Sequence, residues 1–149
     1  SEIDKNDRRM AKTVNFGVLY GMGAYGLAQR LKISNVEAKE FIANYFASFP
    51  ALKDYMDETL ALAREKGYVE TLLGRRRYLP ELGGRGPQVA AAERMAINMP
   101  TQGTAADIIK LAMIEVGKEL TIDKILKRSE VEMLLQVHDE LVFAVKRLK

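Results

Sequence analysis

Cysteine is absent from the 149 residues. Disulfide staples and thiolate metal sites are thereby excluded, and a reducing, cytoplasmic setting is compatible with the chain. No apolar run approaches the ~20 residues that span a bilayer, and no signal-peptide pattern opens the sequence, so no membrane association is expected. Repeats with a period of about 20 to 50 residues are missing as well. So is a strong charge of either sign: 23 Lys and Arg against 20 Asp and Glu leave +3, a balance that alone indicates nothing about nucleic acid. What the chain does have is apolar content. Nearly half of it, 48%, is hydrophobic, which excludes disorder by composition and is enough for one domain with a real core.

The distribution of charge says more than its sum. Arg64, Lys66, Arg75, Arg76, Arg77, Arg85 and Arg94 stand against Glu65, Glu70, Glu81 and Glu93. Such a run serves as a solvated face in most proteins. Three consecutive arginines beside Gly74 also fit phosphate contact, because guanidinium forks match phosphate oxygens.

Periodicity and punctuation predict mostly helix. A first helix runs from about Asp7 to Tyr20 and is ended by Gly21 and Gly23, and a short one covers Tyr25 to Leu31. Ser34, three residues before Glu37, has the form of a capping box. In the helix it opens, Phe41, Ile42, Tyr45, Phe46 and Phe49 form an apolar stripe read as core, until Pro50 interrupts. The next helix, Leu52 to Lys66, turns Leu52, Tyr55, Met56, Leu60 and Ala63 inward and stops at Gly67. Tyr68–Thr71 and Arg76–Leu79 read as a β-hairpin. A loop to Pro87 leads into a helix that Pro100 kinks or divides and that resumes to about Leu120. A second hairpin pairs Val131–Val137 with Leu141–Val145 around a turn at His138–Glu140. The fold class is α+β, predominantly helical, with two small antiparallel hairpins.

The first helix carries two unlike faces. At about 100° per residue, Met10, Ala11, Val14 and Val18 fall in one narrow arc, the stripe expected to be buried. Arg8, Lys12, Phe16 and Tyr20 recur every four residues on another. Two cations near the N-terminus, where the helix dipole favours phosphate, followed by two rings able to stack a base or sugar, form a suitable bed for a nucleotide. The same row, with Leu19 in its arc, also fits a partly buried amphipathic helix. The distal hairpin leaves a similar choice. Met133, Leu135 and Val137 alternate with Leu134 and Gln136, so both faces are partly apolar and the hairpin is expected to be well covered. Asp139 and Glu140 at its tip place carboxylate oxygens on a rigid mount that suits a divalent cation, or simply make a solvated turn.

Taken together, these residues resemble DNA polymerase family A, the polymerase I type. Arg8, Lys12, Phe16, Tyr20 and Gly21, with Asn15, Gly17, Val18 and Leu19 between them, are similar to that family's motif B. Gln136 to Glu140, about 120 residues downstream, are similar to its motif C. The resemblance covers nearly everything from Arg8 to Val145. It implies that Arg8 and Lys12 grip the triphosphate of an incoming dNTP, with Lys12 also the general acid for the leaving pyrophosphate. Phe16 would pack on its sugar and base, and Tyr20 would stack at the template position. Single-subunit RNA polymerases share the Arg, Lys, Tyr and Gly, whereas Phe16 points to DNA synthesis and to discrimination against dideoxynucleotides. Asp139 would ligate Mg²⁺, two ions in the complete enzyme, with Glu140 in support and His138 against the primer terminus. Arg94, Asn98 and Gln102, again four apart, would contact the minor groove of the nascent pair, whose acceptors all base pairs share. Arg75, Arg76 and Arg77 would face the backbone of the primer–template duplex.

The resemblance further implies a division into fingers helices, 1–66, and a partial palm, 67–149. Motif A, which supplies the other metal-binding aspartate, and the thumb lie outside this sequence. The expectation is therefore a template-directed nucleotidyltransferase whose isolated piece is inactive, working as a monomer with the rest of its polymerase domain in a bacterial-type nucleoid. The alternative is a non-catalytic nucleotide- or nucleic-acid-binding module, whose binding depends on Lys12 and the arginines but not on Mg²⁺ or Asp139.

Overall fold

Val14 and Val18 are buried as their arc requires, in a helix α1 that spans Lys5–Leu19. Met10, on the same stripe, is 41% exposed, so only the C-terminal half of α1 is embedded. The computed structural model describes residues 4–122 and 131–146. Helix α2, Ala24–Leu31, and helix α3, Asn35–Ser48, complete the first packing cluster. Its centre is Val14, Val18, Leu27, Ala28 and Ala38, with Ile42, Tyr45 and Phe46 against it. The capping box at the start of α3 is formed: the Glu37 N–H donates to Ser34 Oγ at 3.2 Å, and the Ser34 N–H donates to Glu37 Oε2 at 2.8 Å.

Two of the aromatics read as core are not. Phe41 is 42% and Phe49 54% exposed. Phe41 lies about 100° from Ile42 around the helix and misses the buried arc. Phe49 follows the last residue of α3 with φ −129° and has left the helical path; its ring lies 5.1 Å from that of Tyr45.

Pro50 begins helix α4, Pro50–Lys66, where a missing N–H removes nothing the helix needs. Met56 and Ala63 are buried, and Leu60 packs close by, whereas Tyr55 remains 36% exposed. Strands β1, Tyr68–Glu70, and β2, Arg76–Tyr78, pair antiparallel. A 3-10 turn, Pro80–Gly83, leads to helix α5, Pro87–Ile122. A second core joins these pieces: Ala63, Val69, Leu79, Leu82, Ala92 and Ala96, with Leu60 and Met99 beside them. Helix α5 is not divided at Pro100. Proline withholds the N–H that would reach the Ala96 carbonyl, while next to it the Thr101 hydroxyl donates to the Asn98 carbonyl at 3.1 Å.

The chain forms two compact units, Ser1–Thr101 and Gln102–Lys149. The second holds the remainder of α5 and a hairpin of β3, Val131–Val137, and β4, Glu140–Val145. A register shift between Met133 and Leu135 leaves Leu134 unpaired. This bulge changes the alternation. Val131 and Met133 share a face with Leu141 and Phe143, all half-buried, whereas Leu135 and Val137 join Val142 on the other. That second face is exposed, with Leu135 at 50%, Val137 at 43% and Val142 at 38%. The expectation of a well-covered hairpin is thus corrected: one face is half-covered and the other is not.

Candidate functional site

Within the first unit, α1 and α2 flank an open cleft of about 770 Å³ whose walls include Lys12, Phe16, Tyr20, Tyr25, Arg30 and Arg94. The backbone creates it at the corner between the two helices. Gly21 takes φ +77°, and a Cβ there would lie 3.1 Å from Arg94 Cγ. Only glycine meets both conditions without strain. The Met22 N–H then donates to the Gly17 carbonyl at 2.8 Å, and the Met22 side chain occupies the space over Gly17, where a Cβ would be 2.7 Å from Met22 Cε. The chain therefore doubles back, and α2 faces the row on α1.

That row is ordered as its spacing predicts. Lys12 Nζ lies 5.8 Å from the centroid of the Phe16 ring, and the Phe16 and Tyr20 rings are 5.9 Å apart at an interplanar angle of 34°. Lys12 and Phe16 are exposed and Tyr20 is half-buried, so the row borders the cleft instead of filling the core. A cation beside two rings in an open trough can hold a ligand with an anionic end and a flat end. Arg8 is exposed on α1 but outside the cleft wall, whereas its neighbour Arg9 lines it. Arg9, Tyr25 and Arg30 escaped the sequence reading. No period connects Tyr25 and Arg30 with α1, and only the glycine corner that returns the chain hinted at them.

Arg94 forms part of the cleft wall, and Asn98, one turn further along α5, reaches its end: Asn98 Nδ2 donates to the Tyr20 carbonyl at 3.4 Å. Gln102 belongs to the second unit. The three arginines of the first hairpin do not share a face. Arg77 pairs with Val69, on the buried side, and its Nη2 donates to Met95 Sδ at 2.8 Å. Arg76 points the other way, 3.2 Å from Glu70 and 4.6 Å from the Tyr68 ring centroid. The Glu70 hydrogen bond, first, and then the neighbouring tyrosines raise the Arg76 pKa further. Thr71 Oγ1 accepts from the N–H of Arg75 at 3.1 Å, fixing the tip that precedes them.

In the second unit, Val137 pairs with Glu140, so His138 and Asp139 make a two-residue turn. His138 takes φ +55°, a left-handed conformation uncommon outside glycine. Gln136 Nε2 donates to the His138 carbonyl at 2.7 Å and braces the turn. His138, Asp139 and Glu140 are all exposed. The two adjacent carboxylates are hard oxygen donors of the kind Mg²⁺ prefers, but they are fewer than it takes. Among the described residues no cluster of three or more metal-ligating side chains occurs. The donors present fit part of a site.

Comparison with known proteins points the same way. The family model for DNA polymerase family A matches residues 1–149. The chain is 54% identical over 142 residues to DNA polymerase I of Bacillus caldotenax, covering 95% of this chain and 16% of that protein. It is 54% identical over 141 residues to the thermostable DNA polymerase I of Thermus aquaticus, covering 94% and 16%. It thus spans about a sixth of the length of these relatives. A solved structure, the POL domain of Pol1 from M. smegmatis in complex with DNA primer–template and dNTP, superposes with a TM-score of 0.86 at 49% identity, covering 97% of this chain and 25% of that one. By a match over its full length and by relatives at more than half identity, the chain belongs to DNA polymerase family A.

Proposed function

We propose that the chain is the fingers and part of the palm of a template-directed DNA polymerase, 1–66 and 67–149 respectively, acting with the remainder of its polymerase domain. The observation that carries the reading is the ladder of Lys12, Phe16 and Tyr20 along one wall of an open cleft. In this assignment the Lys12 ammonium pairs with the triphosphate of a dNTP, with Arg8 helping from the preceding turn. Lys12 then delivers the proton that the leaving pyrophosphate takes up. Phe16 packs on sugar and base, and Tyr20 stacks at the template position.

Arg94, Asn98 and Gln102 address the minor groove of the nascent pair, and His138 lies against the primer terminus. Because Arg76 and Arg77 leave the hairpin on opposite faces, the duplex backbone meets alternate members of the Arg75–Arg77 run. Asp139, with Glu140 beside it, contributes carboxylate ligands to the magnesium ions. Bound there, two such ions supply electrostatic stabilisation of phosphoryl transfer. The chain's own donors are too few to hold that pair, so the 149 residues alone do not extend a primer. The complete polymerase acts as a monomer in the bacterial nucleoid.

The test is protection of Lys12 from amine modification. A dNTP should slow labelling of Lys12, while Lys53, ion-paired to Asp57 on α4, labels at an unchanged rate. Lys12→Ala should weaken dNTP binding about ten- to a hundredfold, the range of a lost charge-assisted contact. Labelling of Lys12 that ignores dNTP would refute the reading. Binding that depends on Lys12 and the arginines but is unchanged by removal of Mg²⁺ and by Asp139→Ala, with no primer extension by the complete protein, would favour the non-catalytic alternative.

A further inference from the structure

We propose that Asn98 is a positioning residue for Tyr20, a latch on the C-terminal end of α1 that fixes where the aromatic end of the cleft stands. The proposal goes beyond the contact with nucleic acid assigned to Asn98 above. It rests on two atoms of one amide. Asn98 Nδ2 donates to the Tyr20 carbonyl, across 78 positions of sequence. Asn98 Oδ1 is buried and has no hydrogen-bond partner among the described residues. Burying an acceptor without a partner is unfavourable. Leucine has much the same shape and would fill the position without that penalty. What leucine lacks is the N–H, so the donor accounts for an amide at this position.

The carbonyl it serves is one of those that every helix leaves without an internal partner at its C-terminus. The other bonds at that end of α1 are local: the Gly21 N–H donates to the Val18 carbonyl at 3.0 Å and the Met22 N–H to the Gly17 carbonyl at 2.8 Å, whereas the Asn98 bond ties it to α5. Immediately behind the corner lies a hollow of about 330 Å³, bounded by Val18, Phe46, Met56, Leu60 and Ile97. Val18 and Phe46 belong to the α1–α2–α3 core and Leu60 to the α4–α5 core, and Met56 and Ile97 are buried residues of α4 and α5. Packing is close on the Arg94 side of the corner and interrupted by this hollow on the other. Gly21, which faces the Arg94 side chain across the space of one absent Cβ, and Asn98, which holds Tyr20, bring the corner to α5. Since the Tyr20 ring is one wall of the cleft, a small displacement of its backbone changes the shape of the ligand site.

The experiment is residue-resolved amide hydrogen exchange on the 149-residue chain with Asn98→Leu and Asn98→Asp. The first removes donor and orphaned acceptor together; the second keeps the shape and replaces the donor by an acceptor. Both should accelerate exchange at Tyr20, Gly21 and Met22 about three- to tenfold, the size of one lost hydrogen bond. Exchange at Ala63 and Val69 should stay unchanged. The Leu variant should melt no lower than the parent, and the Tyr20 ring-proton shifts, set by Phe16 at 5.9 Å, should move in both. Unchanged exchange at the three amides, or an equal acceleration at Ala63 and Val69, overturns the latch. Exchange is read without ligand, so a chain that binds no dNTP but shows the local acceleration keeps the latch and loses the polymerase reading.

Discussion

Lys12, Phe16 and Tyr20 stand four residues apart, and at this spacing successive side chains on a helix are neighbours whatever surrounds the helix. Their mutual order is thus a local property. Their placement on a cleft is not, because it depends on Gly21. With φ +77° and Arg94 Cγ only 3.1 Å from a would-be Cβ, the corner strains any other residue. Gly21→Ala should therefore destabilise the chain by about 1–2 kcal/mol from the left-handed backbone alone, with the steric contact adding to it. Urea unfolding of the variant checks this, and a loss below a few tenths of a kcal/mol would mean that the corner can relax. His138, with φ +55°, meets the same left-handed region without glycine's freedom, and the Gln136 amide braces its turn.

At the scale of elements, the start of α3 is legible in four letters. Ser34 and Glu37 exchange hydrogen bonds, and Ser34→Ala should cost about 1 kcal/mol in thermal or urea unfolding. The capping box also has a pH signature. Glu37 accepts from the Ser34 backbone N–H, and secondarily shares a bond with the Ser34 hydroxyl, and both hold its pKa below the ordinary glutamate value. A carboxyl depressed in the folded state binds its proton more readily when unfolded. Its contribution is therefore complete above the unfolded pKa and fades as pH falls through the folded one. The difference in melting temperature between the parent and Glu37→Ala should accordingly shrink on acidification below the usual glutamate range. A difference that is constant from neutral pH to pH ~3 would contradict the assignment. The distal hairpin teaches the opposite lesson. Its alternation was readable, but a single unpaired residue, Leu134, reassigns the faces, and nothing in the letters marks a bulge.

Across the first unit, two separate apolar clusters carry the stability, one in α1–α2–α3 and one in α4, the first hairpin and α5. Leu27 is fully buried at the centre of the former. Leu27→Ala should destabilise the chain by about 2–5 kcal/mol. It should do so unevenly, with exchange rising first over 14–46 and only later over 56–96. Uniform loosening would show that the clusters unfold as one. No helix among the described residues is long and apolar enough to cross a membrane. The second unit displays Leu135, Val137 and Val142 together on one strand face.

By itself the sequence determined whatever depends on near neighbours along the chain: helix limits punctuated by glycine and proline, the capping box, the strand pairing, the four-residue ladder on α1 and the family its two motifs belong to. These follow from periodicity and local hydrogen bonding, which act over a turn or two. Only the tertiary structure decided that Arg9, Tyr25 and Arg30 share the cleft with that ladder, that Phe41 and Phe49 face outward, and that Asn98 grips Tyr20 across 78 positions. Each of those depends on the direction in which the chain leaves a corner, and a few degrees of backbone torsion there move distant side chains by whole ångströms.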